Sequence, residues 1–160
     1  MGNRLRAAVA LVVCVALCFA VGGVGGLATS RSVSTWYPTL TKPGWTPPSW
    51  LFGPVWGALY LMMGLAAWLV WRRKGLRDGK LPLGLFAWQL VLNAGWSWVF
   101  FGLRAPMPAF FELGALWFAL AATVAAFWRV SRAAGLLLVP YLLWTTFAGA
   151  LNFAIWRLNA

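Results

Sequence analysis

Five apolar runs dominate this 160-residue chain, at about 7–28, 51–71, 82–103, 107–128 and 135–156. Each holds about 21 or 22 residues. At about 1.5 Å rise per residue, a helix of that length spans the roughly 30 Å hydrocarbon core of a bilayer. In lipid every backbone N–H and C=O must find its partner within the protein, which favours the helix for an isolated run. Composition agrees: 62% of the residues are hydrophobic and only 9% are charged, too little polar surface to cover a soluble core of this size. The expected fold is an all-α membrane protein, one domain over residues 1–160 built as a bundle of five transmembrane helices. No internal repeat is visible.

Thirteen Lys and Arg stand against two Asp and Glu, a net charge of +11. In a soluble chain that excess suggests nucleic acid. Here the bases sit in short clusters between apolar runs, so the partner they imply is membrane lipid, and no nucleic acid is expected. Arg4, Arg6, the five bases of "RRKGLRDGK" (72–80), Arg129 and Arg132 gather on one side. Arg31, Lys42, Arg104 and Arg157 lie on the other. The positive-inside rule then predicts a cytoplasmic amino terminus, with the 29–50 loop and the carboxyl terminus on the far side. "MGNRLRAAVALVVCVALCFAVGGVGG" has the basic start and apolar middle of a secretory signal, but its apolar run is long and no clear polar cleavage region follows. The expectation is a retained first helix, and the Ala-, Gly- and Arg-rich composition points to a bacterial membrane.

The chain has no histidine, which excludes a metal or haem site with imidazole ligands, and no metal site is expected. Cys14 and Cys18 lie four apart on one helix face and read as small buried hydrophobes. With Asp78 and Glu112 the only carboxylates, paired-acid catalysis has almost nothing to work with. Glu112, about a turn into the fourth helix, reads equally as an intramembrane functional acid or as a solvated or amide-bonded one.

Polar residues inside the spans are few, and their spacing is informative. Gln89, Asn93 and Trp96 share a face of the third helix. Tyr141, Trp144, Ala148 and Asn152 share one on the fifth, and Trp56, Tyr60, Met63 and Ala67 one on the second. An amide turned to lipid is costly, so these faces point inward, either as interhelical glue or as the lining of a cavity. Trp36, Trp45, Trp50, Trp71, Trp128 and Trp156 lie near span ends and fit the interfacial aromatic belt. Trp56, Trp96 and Trp144 lie deeper. Pro140 is expected to kink the fifth helix beside Tyr141 and Trp144, widening a cavity there.

The 29–50 loop is long for so economical a chain, and loops of that kind are usually lids or binding loops. Pro38, Pro43, Pro47 and Pro48 stiffen it. The expectation is a long first loop capping a ligand pocket whose aromatic, weakly polar walls suit a large flat apolar molecule. Gly22, Gly23, Gly25 and Gly26 would let such a ligand or a neighbouring backbone come close. Arg31 and Lys42 at the mouth would meet its carboxylates. A tetrapyrrole has that shape and charge pattern; a sterol has the shape alone.

"WYPTLTKPGWTPPSW", "FGPVWGALYLMMG", "LFAWQLVLNAGWSWVFFG", "VPYLLWTTFAGALN" and "IWRLN", in this order and spacing, resemble the translocator protein family, also called tryptophan-rich sensory proteins (TspO, or peripheral benzodiazepine receptor). The likeness covers about residues 36–159. It implies a five-helix membrane protein, commonly a homodimer, with a pocket roofed by the first loop. It also implies binding of porphyrins, notably protoporphyrin IX, and of benzodiazepine-site ligands. No cofactor is required; porphyrin is the ligand. By motif position Tyr37, Pro47, Asn93 and Ala148 match pocket-lining residues, while Trp56 and Trp144 match tryptophans tied to light-dependent porphyrin breakdown. A binding protein or receptor acting in tetrapyrrole handling or stress signalling is the leading expectation. A light- and oxygen-dependent porphyrin-degrading enzyme comes second, and a porphyrin or sterol transporter third. The carboxyl-terminal "LNFAIWR" has Phe153 where the cholesterol-recognition pattern wants Tyr, which argues against sterol binding through that element.

Overall fold

Four of the five apolar runs lie inside helices longer than themselves. The computed structural model describes residues 2–160 and places α1 over Gly2–Ser32, α2 over Ser49–Asp78, α3 over Lys80–Ser97, α4 over Pro106–Val130 and α5 over Arg132–Leu158. The helices overrun the runs because backbone bonding does not stop at the edge of the hydrocarbon. The overhanging turns carry Arg4, Arg6, Arg72 and Arg73, all exposed, whose long basic side chains can be solvated outside an apolar layer. Helices α1, α2, α4 and α5 are each long and apolar enough to cross a membrane. Helix α3 is not in that set; a π-helical turn, Trp98–Gly102, continues it, with Leu103 N–H bonding to Trp98 C=O at 2.8 Å. The protein is an all-α membrane protein.

Each boundary has a local cause. Helix α2 breaks at Gly75, whose φ of 65° and ψ of −168° suit a residue without Cβ. Ser131, extended at φ −155°, caps α5 by accepting the Ala134 N–H at 3.3 Å. The loop proves shorter than the expected 29–50. Helix α1 runs on through Ser32, whose hydroxyl donates to Phe101 C=O at 2.7 Å, so residues 33–48 form the connection. A single 3₁₀ turn, Tyr37–Thr39, punctuates it.

Helix α1 lies at the edge of the bundle, with Leu5, Val12, Leu17 and Leu27 exposed for lipid. What holds it is close approach. A Cβ on Gly64 of α2 would stand 2.7 Å from Val15 Cα, so the two backbones meet where no side chain intervenes. Two apolar clusters fill the interior. The larger packs Cys18, Met63, Val70, Phe127 and Tyr141. The smaller gathers Tyr37, Phe100, Ala109, Leu151 and Ile155 on the loop side.

Candidate functional site

Between these clusters lies a cavity of about 260 Å³. Helix α1 contributes Gly22, Gly26 and Thr29; α2 contributes Ser49, Phe52, Gly53, Trp56 and Tyr60. Trp96, Ser97, Phe100 and Phe101 come from α3 and the π turn, Ala148, Leu151, Asn152 and Ile155 from α5, and Val33 and Tyr37 from the connection. Gly22, Gly26 and Thr29 recur at helical spacing, so α1 turns small residues to the space. No charged side chain lines the wall among the described residues.

Paired polar groups brace the wall from behind. Tyr60 hydroxyl donates to Asn93 Oδ1 at 2.7 Å, and Asn93 Nδ2 donates to Tyr141 hydroxyl at 2.8 Å. Asn93 is buried one layer behind the wall. Trp96 Nε1–H donates to Asn152 Oδ1 at 3.0 Å, and Asn152 Nδ2 donates to Pro106 C=O at 2.7 Å, tying α3, α5 and the start of α4 together. These bonds fix ring planes. Trp56 stacks on Tyr60 with centroids 5.5 Å apart and planes 28° apart, and Trp96 lies over Phe100 at the same separation and tilt.

Of the sequence-predicted residues, Tyr37, Trp56, Tyr60, Trp96 and Ala148 border one space. Trp144 does not. It lines a shallow apolar groove on the outer side of the α2–α5 seam with Val55, Met62, Leu143 and Phe147. Pro140 lines that groove as well, and no residue of α5 departs from helical backbone around it. Pro47 is half-buried in the connection, outside the wall. The two bases expected at the mouth are placed otherwise. Lys42 Nζ donates to the carbonyls of Tyr37 at 2.8 Å and Leu40 at 3.0 Å, and sits 4.8 Å from the centre of the Tyr37 ring. Arg31 is exposed, about 200° round α1 from Thr29 at 100° per residue. Burial raises the Tyr37 phenol above its ordinary range.

Phe52, Phe100, Phe101, Leu151 and Ile155 belong to the wall without having been anticipated. Phe52 sits in "FGPVWG", where the eye goes to the tryptophan. Phe100 and Phe101 stand four residues on from Trp96 and Ser97, so the helical spacing that marked Trp96 was a signal for them as well. Glu112 is neither solvated nor amide-bonded: both carboxylate oxygens are buried without a hydrogen-bond partner, packed where Gly95 of α3 leaves room.

Fold and cavity together define a multi-pass helical membrane protein enclosing an uncharged, aromatic-walled chamber. The model described as TspO/MBR family matches residues 14–157, and the chain belongs to that family. Among its relatives, "Tryptophan-rich protein TspO" of Chlorobaculum tepidum is 46% identical over 153 residues, covering 93% of this chain and 95% of its own. The human "Translocator protein" is 45% identical over 126 residues, 78% of this chain and 75% of its own. "Tryptophan-rich sensory protein" of Cereibacter sphaeroides is 43% identical over 124 residues, 78% and 77% of the respective lengths.

Proposed function

We propose that this protein is a membrane receptor for planar, largely apolar ligands of the porphyrin type, bound in the chamber beneath a cap formed by residues 33–48. One observation carries the reading: Trp56, Tyr60, Trp96 and Phe100 converge on a single space with their ring planes fixed by stacking and by bonded polar partners. Fixed aromatic faces favour an extended π system, and few polar groups remain to orient it. Val33 and Tyr37 support the capping role, since both border the chamber from the connection. Membership of a family whose relatives are called sensory and translocator proteins fits a protein that registers or handles a ligand. Uncharged benzodiazepine-site ligands suit the same walls.

The test is titration of the purified protein in detergent with protoporphyrin IX, followed by tryptophan fluorescence. Saturable quenching in the micromolar range, weakened by Trp56→Phe, is expected. A linear, unsaturable response that Trp56→Phe leaves unchanged would remove the case for a site.

A further inference from the structure

The chamber is small for the ligand just proposed. Its volume of about 260 Å³ lies below the roughly 300–1,000 Å³ usual for pockets that enclose a drug-sized molecule, and a tetrapyrrole is a large guest. The outer groove across the α2–α5 seam adds about 440 Å³ of open, almost wholly apolar space. Phe52 touches both linings. Its ring lines the chamber and meets Trp144, which lines the groove, edge-on at 5.8 Å and 70°.

Phe52 also rides on the first turn of α2, which is lightly secured. Residues Ser49–Gly53 precede Pro54, which has no N–H to give to Trp50 C=O, and Gly53 beside it has no Cβ to pack. That turn is capped by Pro48 with no side-chain hydrogen bond. Apolar packing, against Trp144 on one side and the loop-side cluster on the other, is what holds the half-buried Phe52 in place.

We propose that Phe52 is the residue that sets the size of the guest: when it turns aside, chamber and groove become one slot bordered by Trp56 on one side and Trp144 on the other, long enough for a tetrapyrrole. The inference rests on the porphyrin reading and adds to it that the ring passes the α2–α5 seam and touches both indoles. Phe52 acts as a partition, and the groove is continuous with the site through it.

The test uses full-length protein in detergent carrying 5-fluorotryptophan, with the Trp56 and Trp144 fluorine resonances assigned by Trp56→Phe and Trp144→Phe. Protoporphyrin IX should shift both resonances in the otherwise unaltered protein. Phe52→Ala, which removes one edge-to-face contact, should raise the association rate about fivefold, and Phe52→Trp should lower it. If Trp56 shifts while Trp144 stays put, and both Phe52 variants bind at the original rate, the partition is overturned while porphyrin binding stands. If neither resonance moves and no binding is detected, both readings fall.

Discussion

Asn159 grips Thr41 by both of its backbone groups: Oδ1 accepts the Thr41 N–H at 2.9 Å and Nδ2 donates to the Thr41 C=O at 2.8 Å. The same Nδ2 reaches Ile155 C=O at 2.7 Å, so one amide closes the end of α5 and anchors the connection. Thr41 adjoins Lys42, which holds the carbonyl of the wall residue Tyr37. Asn159→Ala should therefore free the Thr41 amide, speeding its hydrogen exchange by about tenfold, as losing bonds worth roughly 0.5–1.5 kcal/mol each implies. Asn159→Asp, which keeps the acceptor and loses the donor, should fall between. Unchanged exchange at Thr41 in both variants would show that the anchor lies elsewhere.

Asn93 serves two phenols, and they differ in what they lose without it. Tyr141 is fully buried, whereas Tyr60 borders the chamber. Asn93→Ala leaves the Tyr141 hydroxyl stranded, a cost of about 1–3 kcal/mol. Tyr60→Phe leaves one acceptor, Asn93 Oδ1, without its donor but strands no buried hydroxyl, and should cost less. Thermal unfolding in one detergent compares the two, and equal losses would contradict the ranking.

Glycine-to-alanine exchange within a helix ordinarily stabilises by up to about 1 kcal/mol, so a reversed sign identifies a close approach. At Gly64 the new methyl would meet Val15 backbone, which cannot step aside. Gly64→Ala should lower stability by about 1–3 kcal/mol. At Gly22 it would meet the edge of the Tyr60 ring, so Gly22→Ala should disturb ligand affinity more than melting. Gly23, with nothing within 4 Å of its added methyl, is the control and should tolerate the change.

The charge asymmetry makes a topological prediction. Cytoplasmic reporters fused before Arg4 should be active, and those fused after Asn159 inactive, because nine of the thirteen bases lie at the end that holds Arg4, Arg72 and Arg129. The reverse pattern would show that orientation is set by something other than basic residues.

Periodicity made much of this legible, because helical spacing decides which side chains share a face. It placed Tyr60, Trp96, Ala148 and Asn152 together and turned Gln89 and Asn93 inward, as the structure has them. What it could not convey is which neighbouring residue is interposed. Trp144 and Ala148 share a face of α5, yet one turn of rise puts Trp144 on the far side of Phe52. Charge misled in a different way. By position Lys42 is poised for a ligand carboxylate, but with no acid nearby its ammonium turns to its own loop's carbonyls. Arg31 falls in the loop by sequence, but α1 continues past it and carries it round to the outside.

The π turn at Trp98–Gly102 has a consequence for how the gene can change length. It holds one residue more than the α-helical repeat requires, at the end of α3 and just before the bend at residues 103–105 that leads into α4. A single codon lost there would relax the stretch to ordinary winding, which turns Phe100 and Phe101 relative to α3 and disturbs one wall of the chamber while the residues beyond the turn keep nearly their old phase. Deletions of the same size among exposed positions of the 33–48 connection carry no such rotation. For this chain, where a residue is removed matters more than which one.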